Sequence, residues 1–349
     1  MSILVSKFFN LKTNFLGIIS LVFIVFIFFL SFFAYVIAPD NSVNANQMNL
    51  SIHSKKPGFS VKMLVIKNDV KNENFISSLL WGKKDDSNRI PISEYKIEEN
   101  FIFYKDYNSL DSDFKKIENK KINIEEVKFL FGTDKFGRDV LSRIIIGSRI
   151  SFSIGFISVL ISLIIGLILG SISGYYSGYA DKIIMWIINV TWSIPTLLLV
   201  IAITLALGKG FWQVFIAVGL TMWVEVARIV RGQIKQYKER QFIIAAKVMG
   251  YNDFRIITKH ILPNLYSPLI VISAANFAAS ILIESGLSFL GLGAQPPMTS
   301  WGLMIKDHYN YIILGEPFLA IIPGLCIMLL VCAFMLLGNS LRDILDVRV

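Results

Sequence analysis

The strongest constraint on this chain is the run 15–37, which contains no charged residue. At 1.5 Å per residue, such a run is long enough to cross a hydrocarbon core of about 30 Å as a helix. It is too long for the apolar core of a cleaved signal peptide, and no small-residue cleavage site follows it closely, so we expect an uncleaved membrane anchor. Further apolar runs bring the predicted number of spans to six: 150–172, 183–207, 211–230, 265–290 and 318–338.

Basic residues indicate how these spans are oriented. Lys7 and Lys12 precede the first span, and the interval 228–264 after the fourth span carries many more basic than acidic side chains. Because positively charged loops stay in the cytosol, six crossings place both termini there. Arg143 and Arg149 lie near the outer end of the second span, where a long translocated segment weakens this rule.

The basic interval begins with an apolar pattern at helical spacing. Phe242, Ala245, Ala246 and Met249 fall at i, i+3, i+4 and i+7, which predicts a short amphipathic helix. Gly250 suits the position just past the end of that helix, because glycine tolerates positive φ. Apolar residues on a cytosolic loop need a lipid surface or another protein to cover them.

A second short helix is expected after the glycine. Asn252 is placed to cap it, and Pro263 is expected to end it. Its apolar residues recur on one face and are Phe254, Ile257 and Ile261.

The string GTDKFGRDVLSR precedes the second span. Thr133 or Asp134 can cap a helix, Gly137 interrupts the pattern, and Asp139 and Arg143 are spaced to form an i, i+4 pair. These features predict a capped amphipathic helix at the outer membrane interface.

The segment 38–131 is polar and has nearly balanced charge. Alternating runs at 61–66 and from Glu99 are consistent with strands of a small subdomain, while the composition also allows a partly ordered loop. We interpret the segment as an extracytoplasmic insertion without chemistry of its own.

Two residues inside the apolar runs have competing interpretations. Pro195 in the third span either shapes packing or kinks a helix that lines a pathway. Glu284 in the fifth span either couples protons or forms hydrogen bonds at a helix break, where the Gly- and Pro-rich string 287–302 begins. The structural role is the favoured interpretation of Glu284.

No residue pattern indicates catalysis or metal binding. The string 208–210 lacks the hydroxyl residue of a phosphate-binding loop, and neither HExxH nor GxSxG occurs. Cys326 and Cys332 are expected to pack in the last span, and the three histidines show no ligand spacing. The net charge of +9 is concentrated beside the membrane, so nucleic-acid binding is not indicated.

Several motifs resemble the permeases of ATP-binding-cassette (ABC) importers. The basic interval is similar to the loop through which such permeases contact their ATPases, at Ala245, Ala246, Gly250, Leu262 and Pro263. Ile244 departs from that pattern, because relatives carry glutamate there. A signature of the second permease of peptide and nickel importers is matched at Gly132, Thr133, Asp134, Gly137, Arg138, Asp139 and Arg143.

The resemblance continues toward the end of the chain. It includes WSIPTLLLVIAI, the string 287–302 and the closing LRD, although Val347 replaces a proline typical of relatives. Structural or pathway roles are assigned to Pro195, Glu284, Gly291, Gly293, Pro296, Pro297 and Trp301.

The resemblance implies an all-α, polytopic, six-helix protein with the type I importer fold. The expected organisation is an anchor (1–37), an extracytoplasmic segment with an interfacial helix (38–146), a five-helix core (147–338) with a coupling loop (231–264), and a cytosolic tail (339–349). The family implies a homologous permease partner, two cytosolic ATPases that carry ATP and Mg²⁺, and an extracytoplasmic binding protein, all at a bacterial inner membrane.

The expected function is peptide import without catalysis or a cofactor in this chain. The alternatives are nickel import, proton-coupled transport through Glu284, and a membrane-anchored scaffold or receptor that acts through the extracytoplasmic insertion.

Overall fold

A computed structural model describes residues 14–66, 75–83, 88–98, 101–108, 113–118, 122–208 and 210–345. The expected N-terminal segment 1–13, with Lys7 and Lys12, lies outside these residues, as does the end of the tail from 346 to 349. The chain divides into two compact units. One comprises residues 1–27, 151–295 and 325–349, and the other comprises residues 28–150 and 296–324.

Helices dominate the described residues. In chain order they are α1 (Phe15–Phe32), α2 (Ala34–Ile37), α3 (Phe75–Trp81), α4 (Val140–Tyr176), α5 (Gly178–Trp192), α6 (Thr196–Leu207), α7 (Phe211–Lys238), α8 (Gln241–Val248), α9 (Asp253–Arg255), α10 (Tyr266–Phe289), α11 (Trp301–His308) and α12 (Phe318–Leu345).

Within the described residues, the apolar runs form five helices long enough to cross a membrane and one bent pair that makes a sixth span when taken together. The pair is α5 and α6, and the two helices meet at 94°. The predicted third span is therefore broken. The second is longer than expected, because α4 runs for 37 residues without interruption and includes the residues predicted to form a separate interfacial helix.

Strands occupy the segment 59–129, so the all-α description is wrong for this part of the chain. They are β1 (Phe59–Ile66), β2 (Asn88–Glu98), β3 (Phe101–Asp106), β4 (Lys115–Glu118) and β5 (Ile122–Phe129). They form one antiparallel sheet in the order β4-β3-β2-β1-β5. The predicted strands at 61–66 and after Glu99 correspond to β1 and β3.

Apolar alternation explains why this segment folds as a sheet. Val61, Met63 and Val65 on one face of β1 form a cluster with Ile52 and Phe129. Leu64 on the opposite face belongs to a second cluster, whose other buried members are Ile92, Ile102 and Tyr104. Because both faces of β1 are covered, the strand is buried more completely than a half-exposed strand would be.

Close helix contact organises the other unit. Gly166 and Gly170 lie on one face of α4 against α7, and a Cβ at Gly170 would lie 2.7 Å from the carbonyl oxygen of Ala227. Small residues allow two membrane helices to approach at backbone distance and gain dispersion contacts along their length. At the ends of these helices, Val226, Val230 and Ile234 of α7 join a buried cluster with residues of the loop that follows.

Candidate functional site

The loop after α7 is folded onto the ends of the helices that precede it. In α8, Ile243 and Ala246 are almost completely buried, and they pack in a cluster that includes Tyr175, Val230 and Ile234. Ala246 was expected on the exposed side of this helix, and that expectation is wrong. Both sides of α8 are apolar, so the spacing alone could not show which one packs inward.

The opposite side of α8 is an exposed apolar surface, which we call the apolar face. Val248 is 83% exposed and Met249 is 64% exposed. The sequence pattern was not used to place Ile244 and Val248 on this face, although their i, i+4 spacing indicates that they share one side of the helix. The members of the apolar face are Phe242, Ile244, Ala245, Val248 and Met249.

Gly250 ends the helix as predicted. Its φ is +77°, and the amide of Tyr251 donates to the carbonyl of Ala246 at 3.1 Å, which is the hydrogen bond of a Schellman-type helix end. Asn252 then caps the next turn, because its Oδ1 accepts from the amide of Arg255 at 2.9 Å. The two halves of the loop therefore meet at a turn with a defined angle.

Pro263 does not end the second helix. The chain continues through a π-helical turn (Ile256–Ile261) and a 3₁₀ turn (Leu262–Leu265) directly into α10. The side-chain amide of Asn264 donates to the carbonyl of His260 at 2.7 Å, so local rearrangement satisfies a carbonyl beside the proline.

The predicted apolar face of this second half is divided between solvent and core. Phe254 is 75% exposed, whereas Ile261 is buried and Ile257 is partly buried. Leu262 packs against the same core as Ile261, so the Leu262–Pro263 motif lies at the base of the loop rather than on its exposed side.

Two polar clusters join neighbouring helix ends, and the first of them also holds the loop through Asp253. The hydroxyl of Tyr175 donates to Oδ1 of Asp253 at 2.7 Å, and Lys238 Nζ donates to the carbonyl of Tyr175 at 2.6 Å. In the second cluster, the carboxylate of Asp181 accepts from Arg231 at 2.6 and 2.9 Å and from Lys235 at 2.7 Å.

The signature residues form a buried turn organised by Asp134. Its Oδ1 accepts from the amides of Phe136 and Arg138, each at 2.9 Å, and its Oδ2 accepts from Arg138 Nε at 2.6 Å. Arg143 is 1% exposed, and its Nε lies 3.7 Å from the same Oδ2. Arg143 was predicted to pair with Asp139, but in the structure it lies beside Asp134.

Asp139 has a different role, as the cap of α4. Its carboxylate accepts from the amide of Ser142 at 2.9 Å and also from the hydroxyl of Ser142. Burial raises the pKa of Asp139, and the hydrogen bonds from Ser142 oppose that shift. The expectation that Thr133 or Asp134 caps the helix is wrong, because Gly137 turns the chain before the helix begins.

Two signature glycines are required by close contact. Gly132 and Gly137 have φ of +75° and +71°, and a Cβ at Gly137 would lie 1.9 Å from the carbonyl oxygen of Asn49. The hydroxyl of Thr133 forms two hydrogen bonds with the backbone of a distant segment. It donates to the carbonyl of Ile52 and accepts from the amide of Lys55. The signature residues therefore hold the segment 49–55 in place through close packing and hydrogen bonds.

Glu284 lies in the last two turns of α10, five residues before the helix ends at Phe289. It is completely buried, and its Oε1 accepts from the hydroxyl of Ser288 at 2.7 Å. The Ser288 oxygen in turn accepts from the amide of Ala294 at 3.2 Å. Gly291 has a φ of +79°, and a Cβ at Gly293 would lie 2.1 Å from Ser288 Oγ. These contacts tie Glu284 to the turn that follows α10, and its structural role stays a prediction.

The second half of the Gly- and Pro-rich string leads to a buried tryptophan. Pro296 and Pro297 are joined by a cis peptide bond. Trp301 is 2% exposed, and its indole Nε1 donates to the carbonyl of Ile144 at 2.9 Å. His308, in the same short helix, is also buried, and burial lowers its pKa.

Pro195 stands at the break between α5 and α6. It precedes the first residue of α6, and its carbonyl accepts from the amide of Leu199 at 3.1 Å. Arg228 lies over the ring of Trp192 at 3.8 Å, on the other side of the break. The predicted kink is present, as a bend of 94°.

Together, the apolar spans, the broken helix pair and the folded loop define a multi-pass membrane protein. Among the described residues, no group of three or more His, Cys, Asp or Glu side chains is placed to hold a metal ion. Residues 166–349 match the family model described as "Binding-protein-dependent transport system inner membrane component". This chain belongs to that family.

Curated relatives are similar over the same region. The glutathione transport system permease protein GsiD of Pectobacterium atrosepticum is 44% identical over 215 residues, which cover 62% of this chain and 71% of the relative. The dipeptide transport system permease protein DppC of Bacillus subtilis is 42% identical over 216 residues, which cover 62% of this chain and 68% of the relative.

A solved structure of the MetNI methionine ABC transporter in an inward-facing conformation also aligns with this chain. The alignment has a TM-score of 0.47 and 17% identity, and it covers 58% of this chain and 97% of that chain.

Proposed function

We propose that this chain is the permease subunit of an ATP-driven importer and that it moves peptides across a bacterial inner membrane. The observation that carries the proposal is the apolar face of α8, which is exposed although the opposite side of the helix is held in a buried core and the next turn is hydrogen-bonded to Tyr175. Exposed apolar surface on a rigid, polar-flanked support is typical of a protein-binding site.

The partner proposed for this face is a cytosolic ATPase subunit. The chain carries no phosphate-binding sequence motif, so ATP and Mg²⁺ are assigned to two such subunits. A homologous permease and an extracytoplasmic binding protein complete the proposed assembly, with both termini of this chain in the cytosol. ATP-driven closure of the ATPases would move the loop and switch access across the membrane.

The peptide substrate is supported by the names of the relatives, which transport a dipeptide and glutathione. A proton-coupled mechanism has less support, because Glu284 is engaged by Ser288 at the end of a helix. Uptake of labelled dipeptide, glutathione and nickel by the reconstituted assembly would identify the substrate class, and uptake of nickel alone would contradict the peptide assignment.

Docking through the apolar face is tested by Val248→Asp. A carboxylate at this 83% exposed position would be buried without a partner on docking, and we expect ATPase subunits to be lost during purification and uptake to fall at least about tenfold. Val248→Ile keeps the face apolar and is the matched control. If Val248→Asp retains both the ATPases and uptake, the docking assignment is wrong.

Gly250 provides a second test, because it sets the angle between the two loop halves. A Cβ here would meet no atom within 4 Å, so a substitution acts only through the backbone at φ +77°. Gly250→Val should spare membrane insertion and uncouple ATP hydrolysis from uptake, whereas Gly250→Asn should be tolerated, since asparagine adopts positive φ more readily. Normal uptake in Gly250→Val would contradict this role.

A further inference from the structure

Tyr175 occupies a position that the coupling proposal above does not yet use. It is the penultimate residue of α4 and is 3% exposed, and its ring lies in the cluster formed by α7 and both halves of the loop. The members of that cluster closest to the loop turn are Ile243, Ala246 and Ile256. Tyr175 therefore shares one buried cluster with the helix that carries the apolar face and with the segment that follows it.

The hydroxyl of Tyr175 extends beyond this core to the second half of the loop. It donates to Oδ1 of Asp253 at 2.7 Å. Asp253 is the first residue of α9, directly after the Asn252 cap. A hydrogen bond to a carboxylate is stronger than one between neutral groups. The end of α4 is thereby bonded to the loop on the far side of Gly250 from the apolar face.

Two lysine side chains lie near the ring of Tyr175 and help to fix its position. Lys247 Nζ of α8 and Lys238 Nζ of α7 lie 5.3 and 5.5 Å from the ring centroid, and Lys238 also donates to the carbonyl of Tyr175. Each lysine comes from a different helix, so Tyr175 is held from the α7 side and from the α8 side as well as by Asp253.

We infer that Tyr175 is a positioning residue that transmits movement of the loop to α4. The inference rests on the proposed ATPase docking and names the route by which docking acts on the spans. Without the hydroxyl, the end of α4 loses its hydrogen bond to α9, while the buried packing, the apolar face and its binding to an ATPase stay intact. The predicted defect is therefore in coupling, with assembly unaffected.

The test uses the complete reconstituted assembly and measures ATP hydrolysis and peptide uptake in the same vesicles. Tyr175→Phe keeps the ring, its packing and its cation contacts. We expect ATPase subunits to stay bound and hydrolysis to stay within about twofold of the unmodified assembly. Uptake per ATP should fall at least about tenfold, the lower end of the range for loss of a charge-assisted hydrogen bond. Tyr176→Phe is the matched control, because Tyr176 is the next residue and is exposed.

Variants of the acceptor separate a hydrogen-bond role from a packing role. Asp253→Asn keeps an oxygen that can accept from Tyr175 and should retain most of the coupling, whereas Asp253→Ala should resemble Tyr175→Phe. Because both changes remove the same bond, the double variant Tyr175→Phe/Asp253→Ala should be no worse than either single variant.

Normal uptake per ATP in Tyr175→Phe, or additive losses in the double variant, would overturn the inference and leave the docking proposal in place. If the unmodified assembly binds no ATPase through this chain, the docking proposal itself fails. The two failures are distinguished by whether the ATPases purify with the chain bearing native Tyr175.

Discussion

Arg231 binds Asp181 through two parallel hydrogen bonds, Nε to Oδ1 at 2.6 Å and Nη2 to Oδ2 at 2.9 Å. The pair joins the end of α7 to the first turn of α5, next to the chain reversal at Ser177 and Gly178. Only arginine has the planar, forked donor geometry that this arrangement uses.

Arg231→Lys should therefore destabilise the protein although it preserves charge. The side chains of Arg231 and Asp181 are 25% and 14% exposed, so we expect a loss of about 1–2 kcal/mol, below the value for a fully buried pair. Thermal unfolding of the detergent-solubilised protein measures the change. Lys182→Gln removes a neighbouring exposed charge and should have no measurable effect. Unchanged stability in Arg231→Lys would show that charge is sufficient and that the forked geometry is not required.

Gly170→Ala should weaken the contact between α4 and α7. The new methyl group would lie 2.7 Å from the carbonyl oxygen of Ala227 and 2.8 Å from Cβ of Val230, so the helices must separate. We expect a loss of about 1–3 kcal/mol in thermal unfolding. Gly232→Ala is the control on the facing helix, because a methyl group there meets nothing within 4 Å. It should leave stability unchanged or raise it by up to about 1 kcal/mol.

Gly137→Ala should disrupt the signature turn. Both Gly137 and Gly58 have positive φ, so alanine is strained at either position by about 1 kcal/mol. Only at Gly137 does the methyl group also meet a backbone oxygen, that of Asn49 at 1.9 Å, and nothing lies within 4 Å at Gly58. Limited proteolysis of the segment 49–55 should therefore increase much more in Gly137→Ala than in Gly58→Ala. Equal cleavage would indicate that backbone strain, not the contact, governs the turn.

Glu284→Gln should preserve uptake. The amide oxygen can still accept from Ser288, so the end of α10 keeps its hydrogen bond, while any role in carrying protons is removed. Glu284→Leu removes the acceptor and should lower the thermal stability. Loss of uptake in Glu284→Gln, together with uptake that collapses with the proton gradient, would restore the proton-coupled alternative.

Sequence patterns were sufficient for the spans and for the turn at Gly250, because length, absence of charge and positive φ are local properties. They were insufficient for partners distant along the chain. Arg143 was predicted to pair with Asp139 because i, i+4 spacing applies within a single helix. In the structure, Gly137 turns the chain back and brings Asp134 to the arginine. The strand order β4-β3-β2-β1-β5 likewise depends on pairings that alternation along one strand does not specify.

The loop shows the same limit at smaller scale. Its apolar residues were identified, but the buried side of α8 is set by Tyr175 and Val230, which lie outside the helix. Pro263 was expected to end a helix, and the π and 3₁₀ turns around it depend on contacts such as that between Asn264 and His260.

The glycine contact between α4 and α7 also bears on how the protein is made. During synthesis, α5 and α6 are made after α4 and before α7. Gly166 and Gly170 of α4 are therefore made before the helix surface that they contact. The contact between α4 and α7 therefore forms only after the two intervening helices have been made.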